Sequence, residues 1–153
     1  MAENWIIKRT NALDGDFQTL ITRLDHELWN ELAEDQATYD QFNKVPDLQT
    51  AVLIYDNNLP AACGCFKKYD EETVEIKRMF VEKVYRGRGV SKMILEELER
   101  WAFELGFTFS ILETSIHFTA ARSLYAGAGY HVIDNYDQYA GLPESVCMKK
   151  KLS

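Results

Sequence analysis

An α/β (α+β) fold, built on a mixed sheet with helices, is predicted by three features of the 153-residue chain. Residues 74–81, Val-Glu-Ile-Lys-Arg-Met-Phe-Val, alternate and are rich in strand formers. A short basic loop with two glycines carries this strand into a run where Val90, Ile94, Leu98, Trp101, Ala102 and Leu105 recur at helical spacing until Gly106. Residues 51–55 and 61–66 read as a hairpin around Asp56-Asn57-Asn58-Leu59-Pro60.

The remaining elements follow in order. Residues 5–8 form a short strand. Phe17, Leu20, Ile21, Leu24 and Leu28 mark one face of a helix, a second helix covers 35–42, and Pro46 closes that region. After the hairpin come the strand at 74–81 and the helix at 89–105. Residues 107–112 are a further strand and 119–126 a helix. The closing strands are 130–133 and 146–150. This length is enough for one domain with a proper core, and residues 1–153 are expected to form a single domain.

The loop is the chemically informative part. A strand feeding a helix through glycines leaves the first N–H groups of the helix pointing into the loop, at the positive end of its dipole. Gly87 and Gly89 let backbone approach a bulky phosphate, and Arg86 and Arg88 add charge. The whole chain carries net −7, which argues against general nucleic-acid binding. Yet Lys77, Arg78, Lys83, Arg86, Arg88 and Lys92 face only Glu82 over that stretch, so the island suits a small ligand with a pyrophosphate. The pattern is not G-x-G-x-x-G, since Lys92 occupies the third glycine position, and no Gly-Lys-Ser/Thr follows. Glycines before a helix can also be a plain turn.

Arg86-x-x-Gly89-x-Ser91 resembles the acetyl-coenzyme A motif of the GNAT superfamily of N-acetyltransferases, Gln/Arg-x-x-Gly-x-Gly/Ala, with Ser91 as the last small residue. A second stretch is similar to the family's Asn-x-x-Ala-…-Leu-Tyr-…-Gly-Phe segment. Ala120, Leu124, Tyr125, Gly129 and Tyr130 fall in register, with His117 in the place of Asn. The resemblance covers about residues 50–152. It implies a mixed, mostly antiparallel central sheet flanked by helices on both faces, and acetyl-coenzyme A as cosubstrate. The acceptor is then a primary amine of a small molecule or peptide. A non-catalytic acetyl-coenzyme A-sensing or partner-binding module is the other reading.

The same resemblance implies roles. Met79, Phe80 and Val81 lie along the pantetheine arm, where Met79 and Val81 offer backbone groups and donors can polarise the thioester carbonyl. Backbone N–H groups of Arg86, Gly87, Arg88, Gly89, Val90 and Ser91 hold the pyrophosphate, and His117 adds a contact to coenzyme A. Tyr125 protonates the departing thiolate. An ammonium acceptor must lose a proton, and Glu75 is the first candidate base with Glu113 the second; either could instead pair with Lys77 or Arg78. Specificity in the family comes from the amino-terminal helices and the carboxy-terminal hairpin loop. Here those supply Asp25, His26, Glu27, Trp29, Tyr39, Tyr136 and Tyr139, acids and aromatics that suit a cationic amine. His26 and His131 lack a partner pattern that would make them ligands, and no metal is implied.

Three cysteines, Cys63, Cys65 and Cys147, suggest reduced thiols; Cys63 and Cys65 share one strand face, which suits core packing better than a disulfide. No apolar run approaches the roughly 20 residues needed to span a bilayer, and no signal peptide is read. A cytoplasmic protein with no membrane and no nucleic-acid partner is expected, with a homodimer left open.

Overall fold

The computed structural model describes residues 4–31 and 49–153, with the side chains of 29–31 left aside. The elements are β1 (Trp5–Thr10), α1 (Gly15–Glu31), β2 (Thr50–Asp56), β3 (Leu59–Lys68), β4 (Thr73–Val81), α2 (Val90–Glu104), β5 (Phe109–Ser115), α3 (Thr119–Gly127), β6 (His131–Ile133) and β7 (Ser145–Lys151). Single 3-10 turns, Lys83–Tyr85 and Asp137–Tyr139, precede α2 and β7. The second helix expected at 35–42 lies outside the described residues.

Seven strands form one sheet in the order β1-β2-β3-β4-β5-β7-β6. Every neighbouring pair is antiparallel except β4 and β5. That exception follows from the chain: α2 lies between β4 and β5, and a parallel pair needs such a crossover. The predicted mixed, mostly antiparallel sheet is therefore present. Leu59 and Pro60 belong to β3 rather than to the hairpin loop, because Asn57 takes φ 55 and closes a tighter turn. Asparagine tolerates that left-handed conformation better than most residues. β5 begins at Phe109 rather than 107 because the end of α2 holds the intervening residues: Gly106, at φ 97, bonds Phe103, and the Phe107 N–H donates to the Ala102 carbonyl.

Strand alternation splits the core in two. On one face, Val52, Ile54, Ala62, Phe66, Val74 and Ile76 meet Ile94, Leu95, Leu98 and Ala102 of α2 and Tyr125 of α3. On the other, Ala51, Leu53, Cys63, Cys65 and Phe80 meet Phe17, Leu20 and Leu24 of α1. Cys63, Cys65 and Cys147 are all free and buried. Burial pushes their thiols up, Cys65 to about 12 and Cys147 to about 11, so they behave as small apolar groups.

Gly64 sets how closely α2 approaches the sheet. A Cβ there would stand 2.7 Å from Ile94 Cγ2, 2.7 Å from Met79 Sδ and 3.0 Å from Leu98 Cδ1. On the facing strand, Cys63 pairs with Phe80 and Cys65 with Lys77, so Arg78 and Met79 both oppose Gly64. This is a β-bulge, and Arg78 carries it at φ 60. Gly64→Val is expected to destabilise the fold by roughly 1–3 kcal/mol through overpacking. Denaturant unfolding monitored at the Trp101 fluorescence checks this; an unchanged midpoint would contradict it.

Candidate active site at the fork between β4 and β5

β4 and β5 pair only through Thr73↔Phe109, Val74↔Ser110 and Glu75↔Ile111. Beyond Glu75 the bulge at Arg78 keeps β4 with β3, while β5 stays with β7 as far as Ser115↔Ser145. The two strands part, and a cavity of about 170 Å³ opens between them. Its walls include Ile76, Lys77, Arg78 and Met79 of β4, Leu112 to Ser115 of β5, Tyr125 of α3 and Leu24 and Leu28 of α1. A groove of about 620 Å³ adjoins it. Met79, Phe80, Val81, Arg86, Gly87, Gly89, Val90, Ser91 and His117 line that groove, together with Tyr125 and Leu124. Tyr125, Met79, Leu24 and Leu28 border both spaces.

The two carboxylates proposed from sequence have different surroundings. Glu75 is 2% exposed and accepts a 2.7 Å hydrogen bond from the Tyr136 hydroxyl. Lys67 and Lys77 approach its other oxygen at 3.6 and 3.9 Å. This carboxylate is held by two cations and a phenol. Glu113 accepts a 2.7 Å hydrogen bond from the Ser145 hydroxyl. Burial pushes its carboxyl up to about 7, partly offset by Ser145 and by the Lys77 charge. A carboxyl that titrates near neutrality can take a proton from an ammonium group at working pH. Glu113 therefore fits the base role better than Glu75, whose oxygens are already engaged by Tyr136, Lys67 and Lys77.

Tyr125 is 7% exposed and packs edge-on against Tyr130 at 5.9 Å. Burial, with a smaller push from the Glu113 charge, holds its phenol proton on more tightly than usual. The alternation of β4 and β5 places Glu75, Lys77 and Glu113 on the α1 face, opposite Val74, Ile76 and Leu112; Tyr125 belongs to the α2 face. Only the fork lets Glu113 and Tyr125 share a cavity.

Gly87 and Gly89 stand at φ 80 and 79, and a Cβ at either would meet nothing within 4 Å, so backbone conformation rather than crowding selects glycine. Gly89 is the N-cap of α2 and brings no side chain to occupy the helix's first N–H groups. Val90 is core, 1% exposed, and fixes the start of the helix. Those N–H groups and the open space beside the glycines fit a pyrophosphate. Arg86 is otherwise engaged: Nε donates to the Val81 carbonyl at 2.8 Å and Nη2 to both oxygens of Glu27 at 3.0 and 2.7 Å. Arg88 lies over the Tyr85 ring at 5.6 Å. Phe80 is a buried core residue beneath Arg86. His117 rests on Ser115 through its N–H and meets Glu144 at 3.2 Å.

The residues proposed to choose the acceptor are only partly brought together. Asp25 pairs with Arg78 at 2.7 Å, and Glu27 with Arg86. Both acids thus tie α1 to the β4 side of the site, a use that removes their charge from a cationic acceptor. Tyr136 and Tyr139 pack edge-on at 5.5 Å, and Tyr139 borders the cavity. His26 lines a separate groove with Arg23 and Lys83. The Trp29 side chain and Tyr39 lie outside the described residues. Sequence reasoning did not single out Ser145, because only the β5–β7 register brings it beside Glu113. Among the described residues no cluster of His, Cys, Asp and Glu could hold a metal ion. No described helix is long and apolar enough to cross a membrane.

The fold and this fork define a coenzyme A-dependent acyltransferase architecture. The acetyltransferase (GNAT) family model matches residues 15–130, and the chain belongs to that family. It is 32% identical over 152 residues to the IAA acetyltransferase of Azospirillum brasilense, covering 97% of this chain and 99% of that one. It is 34% identical over 94 residues to the uncharacterised N-acetyltransferase YsnE of Bacillus subtilis; the match spans 60% of this chain and 62% of that protein. A Klebsiella pneumoniae structure assigned to the acyl-CoA N-acyltransferases superimposes with a TM-score of 0.81 at 26% identity, over 97% of this chain and 98% of that one.

The raised Glu113 has a consequence for stability. Between an ordinary value of 4.5 and about 7, the folded state holds a proton that the unfolded chain releases. Its contribution is therefore fully present below about 4.5 and lost as pH rises through about 7. Glu113→Gln is expected to raise the unfolding midpoint at pH 8 more than at pH 4. Thermal melts across that range check it, and an equal shift at both ends would contradict the burial of this carboxyl.

Proposed function

We propose that this protein, as a single domain over residues 1–153, transfers an acetyl group from acetyl-coenzyme A to a primary amine of a small molecule or peptide. The observation that carries the reading is the β4–β5 fork. It puts Glu113 and Tyr125 on one cavity, which opens into a groove ended by the Gly87–Gly89 loop. Acetyl-coenzyme A supplies the thioester, and GNAT acetyltransferases use it as donor.

The first N–H groups of α2, behind Gly87, Gly89 and Ser91, hold the pyrophosphate, while Met79 and the wall from Leu24 to Leu28 flank the pantetheine arm. Glu113 takes a proton from the ammonium acceptor, directly or through water. The freed nitrogen attacks the thioester carbonyl carbon, the carbon–sulfur bond breaks, and Tyr125 gives its proton to the leaving thiolate. The amide nitrogen's surplus proton restores Tyr125. Backbone donors left unpaired along β4 beyond Glu75 stabilise the oxygen on which charge develops.

Tyr125→Phe is expected to lower kcat by about 10²–10⁴-fold while leaving acetyl-coenzyme A affinity within a few-fold by calorimetry. Unchanged turnover would remove Tyr125 from the acid role. In the wild type, kcat/KM should rise with pH through about 7, and Glu113→Gln should abolish that limb. Gly89→Glu, which sets a carboxylate and a β-carbon on a φ of 79, is expected to abolish acetyl-coenzyme A binding; retention would move the pyrophosphate elsewhere.

A further inference from the structure

Arg78 is an unusual residue for a structural ion pair. It is a non-glycine at φ 60, a strained conformation that surrounding structure must enforce. Its side chain is 5% exposed, yet one guanidinium nitrogen meets Asp25 at 2.7 Å on a carboxylate that is itself 45% exposed. Nε is buried with no hydrogen-bond partner among the described residues. A buried cation left short of acceptors is costly unless something completes it. Arg78 also borders the cavity at the fork, next to Lys77, whose side chain is 4% exposed.

The surrounding charges favour an anion at this place. Asp25 and Glu27 are neutralised by Arg78 and Arg86. Glu75 is held by Lys67, Lys77 and Tyr136. Glu144 stands with His117 at the edge of the site. Glu113 is the remaining acid on the wall, the one placed to handle the amine. A simple cationic amine would meet Arg78 and Lys77 on a wall whose other carboxylates are already engaged by cations of their own.

Resting on the transferase reading above, we propose that the acceptor is an amine that also carries a carboxylate, as in an amino acid. Arg78 receives that carboxylate, with Lys77 adding to the positive potential, and the amine is thereby directed to Glu113. A bidentate guanidinium–carboxylate contact satisfies Nε and orients the acceptor, which the exposed Asp25 carboxylate alone does not do. Arg78 is in this sense a specificity-determining residue of the acceptor site.

The test compares amino acids with their decarboxylated amines: phenylalanine with phenethylamine, leucine with isoamylamine, lysine with cadaverine. Thiol release is followed with wild-type protein, and acetyl-coenzyme A binding is measured separately by calorimetry. The carboxylated member of at least one pair is expected to have a kcat/KM roughly ten- to hundredfold higher, with no pair reversed. Arg78→Met should erase that preference mainly through KM, with acetyl-coenzyme A affinity within about twofold, and Arg78→Lys should keep part of it. Asp25→Asn retains the guanidinium and removes its internal carboxylate, so it should widen the preference. Equal rates, faster decarboxylated amines, acetylation of neither member, or a preference that survives Arg78→Met would overturn the carboxylate proposal. Failure of the wild type to bind acetyl-coenzyme A would instead overturn the transferase reading beneath it.

Discussion

Two strands that begin as partners and then separate organise this molecule. Parallel pairing between β4 and β5 lasts three residue pairs, and the break follows from competing registers. β4 must stay registered with β3 through an extra residue at Arg78, and β5 must stay registered with β7 to Ser115. Neither neighbour yields, so the space between them opens. Gly64 is part of the same arrangement, because the lack of a side chain there lets Met79 and α2 close over the bulge. The sheet remains continuous at one end and offers unpaired backbone and a cavity at the other.

The opening would be a liability without something to brace it. On the α1 side, Asp25 holds Arg78, Glu27 holds Arg86, and Arg23 reaches Glu82. These pairs all start from residues 23–27 of one helix and address the bulge, the loop and the strand end. Individually, exposed pairs are worth little. Their effect is geometric: α1 is set as a roof whose Leu24 and Leu28 border both the cavity and the groove. Arg86 ties the carbonyl of Val81 to the same helix, which fixes the loop relative to the strand that feeds it.

Much of this was legible in the sequence, for physical reasons. Val90, Ile94, Leu98 and Ala102 recur at helical spacing because one face of the helix packs on the sheet, and all are buried. Gly87 and Gly89 were readable because only a left-handed backbone requires glycine at both. The use of the charges was not legible. Asp25 and Glu27 read as acids on an exposed helix, and their partners lie 53 and 59 positions further on, by subtraction of the residue numbers. Glu75 and Glu113 were both visible as candidates, but what separates them is a phenol from residue 136 and a hydroxyl from residue 145. Such contacts depend on strand register and a 3-10 turn, neither of which local spacing encodes.

The contrast between those two glutamates shows how one sheet face can carry two kinds of acid. Both sit on the α1 side of adjacent strands and both are largely removed from water. Glu75 is surrounded by donors, two ammonium groups and a phenol, so its charge is solvated by the protein. Glu113 has one hydroxyl and a more distant cation, too little to offset its desolvation, and its proton is retained up to about 7. Moving a lysine nearer would offset that desolvation and bring the Glu113 carboxyl back toward its ordinary range. The pairing of Lys77 with Glu75 and Tyr139 therefore matters for Glu113 as well, since it keeps that ammonium group engaged elsewhere. A well-satisfied carboxylate on β4 is what leaves the one on β5 with a proton it can exchange near neutrality, as the proposed base requires.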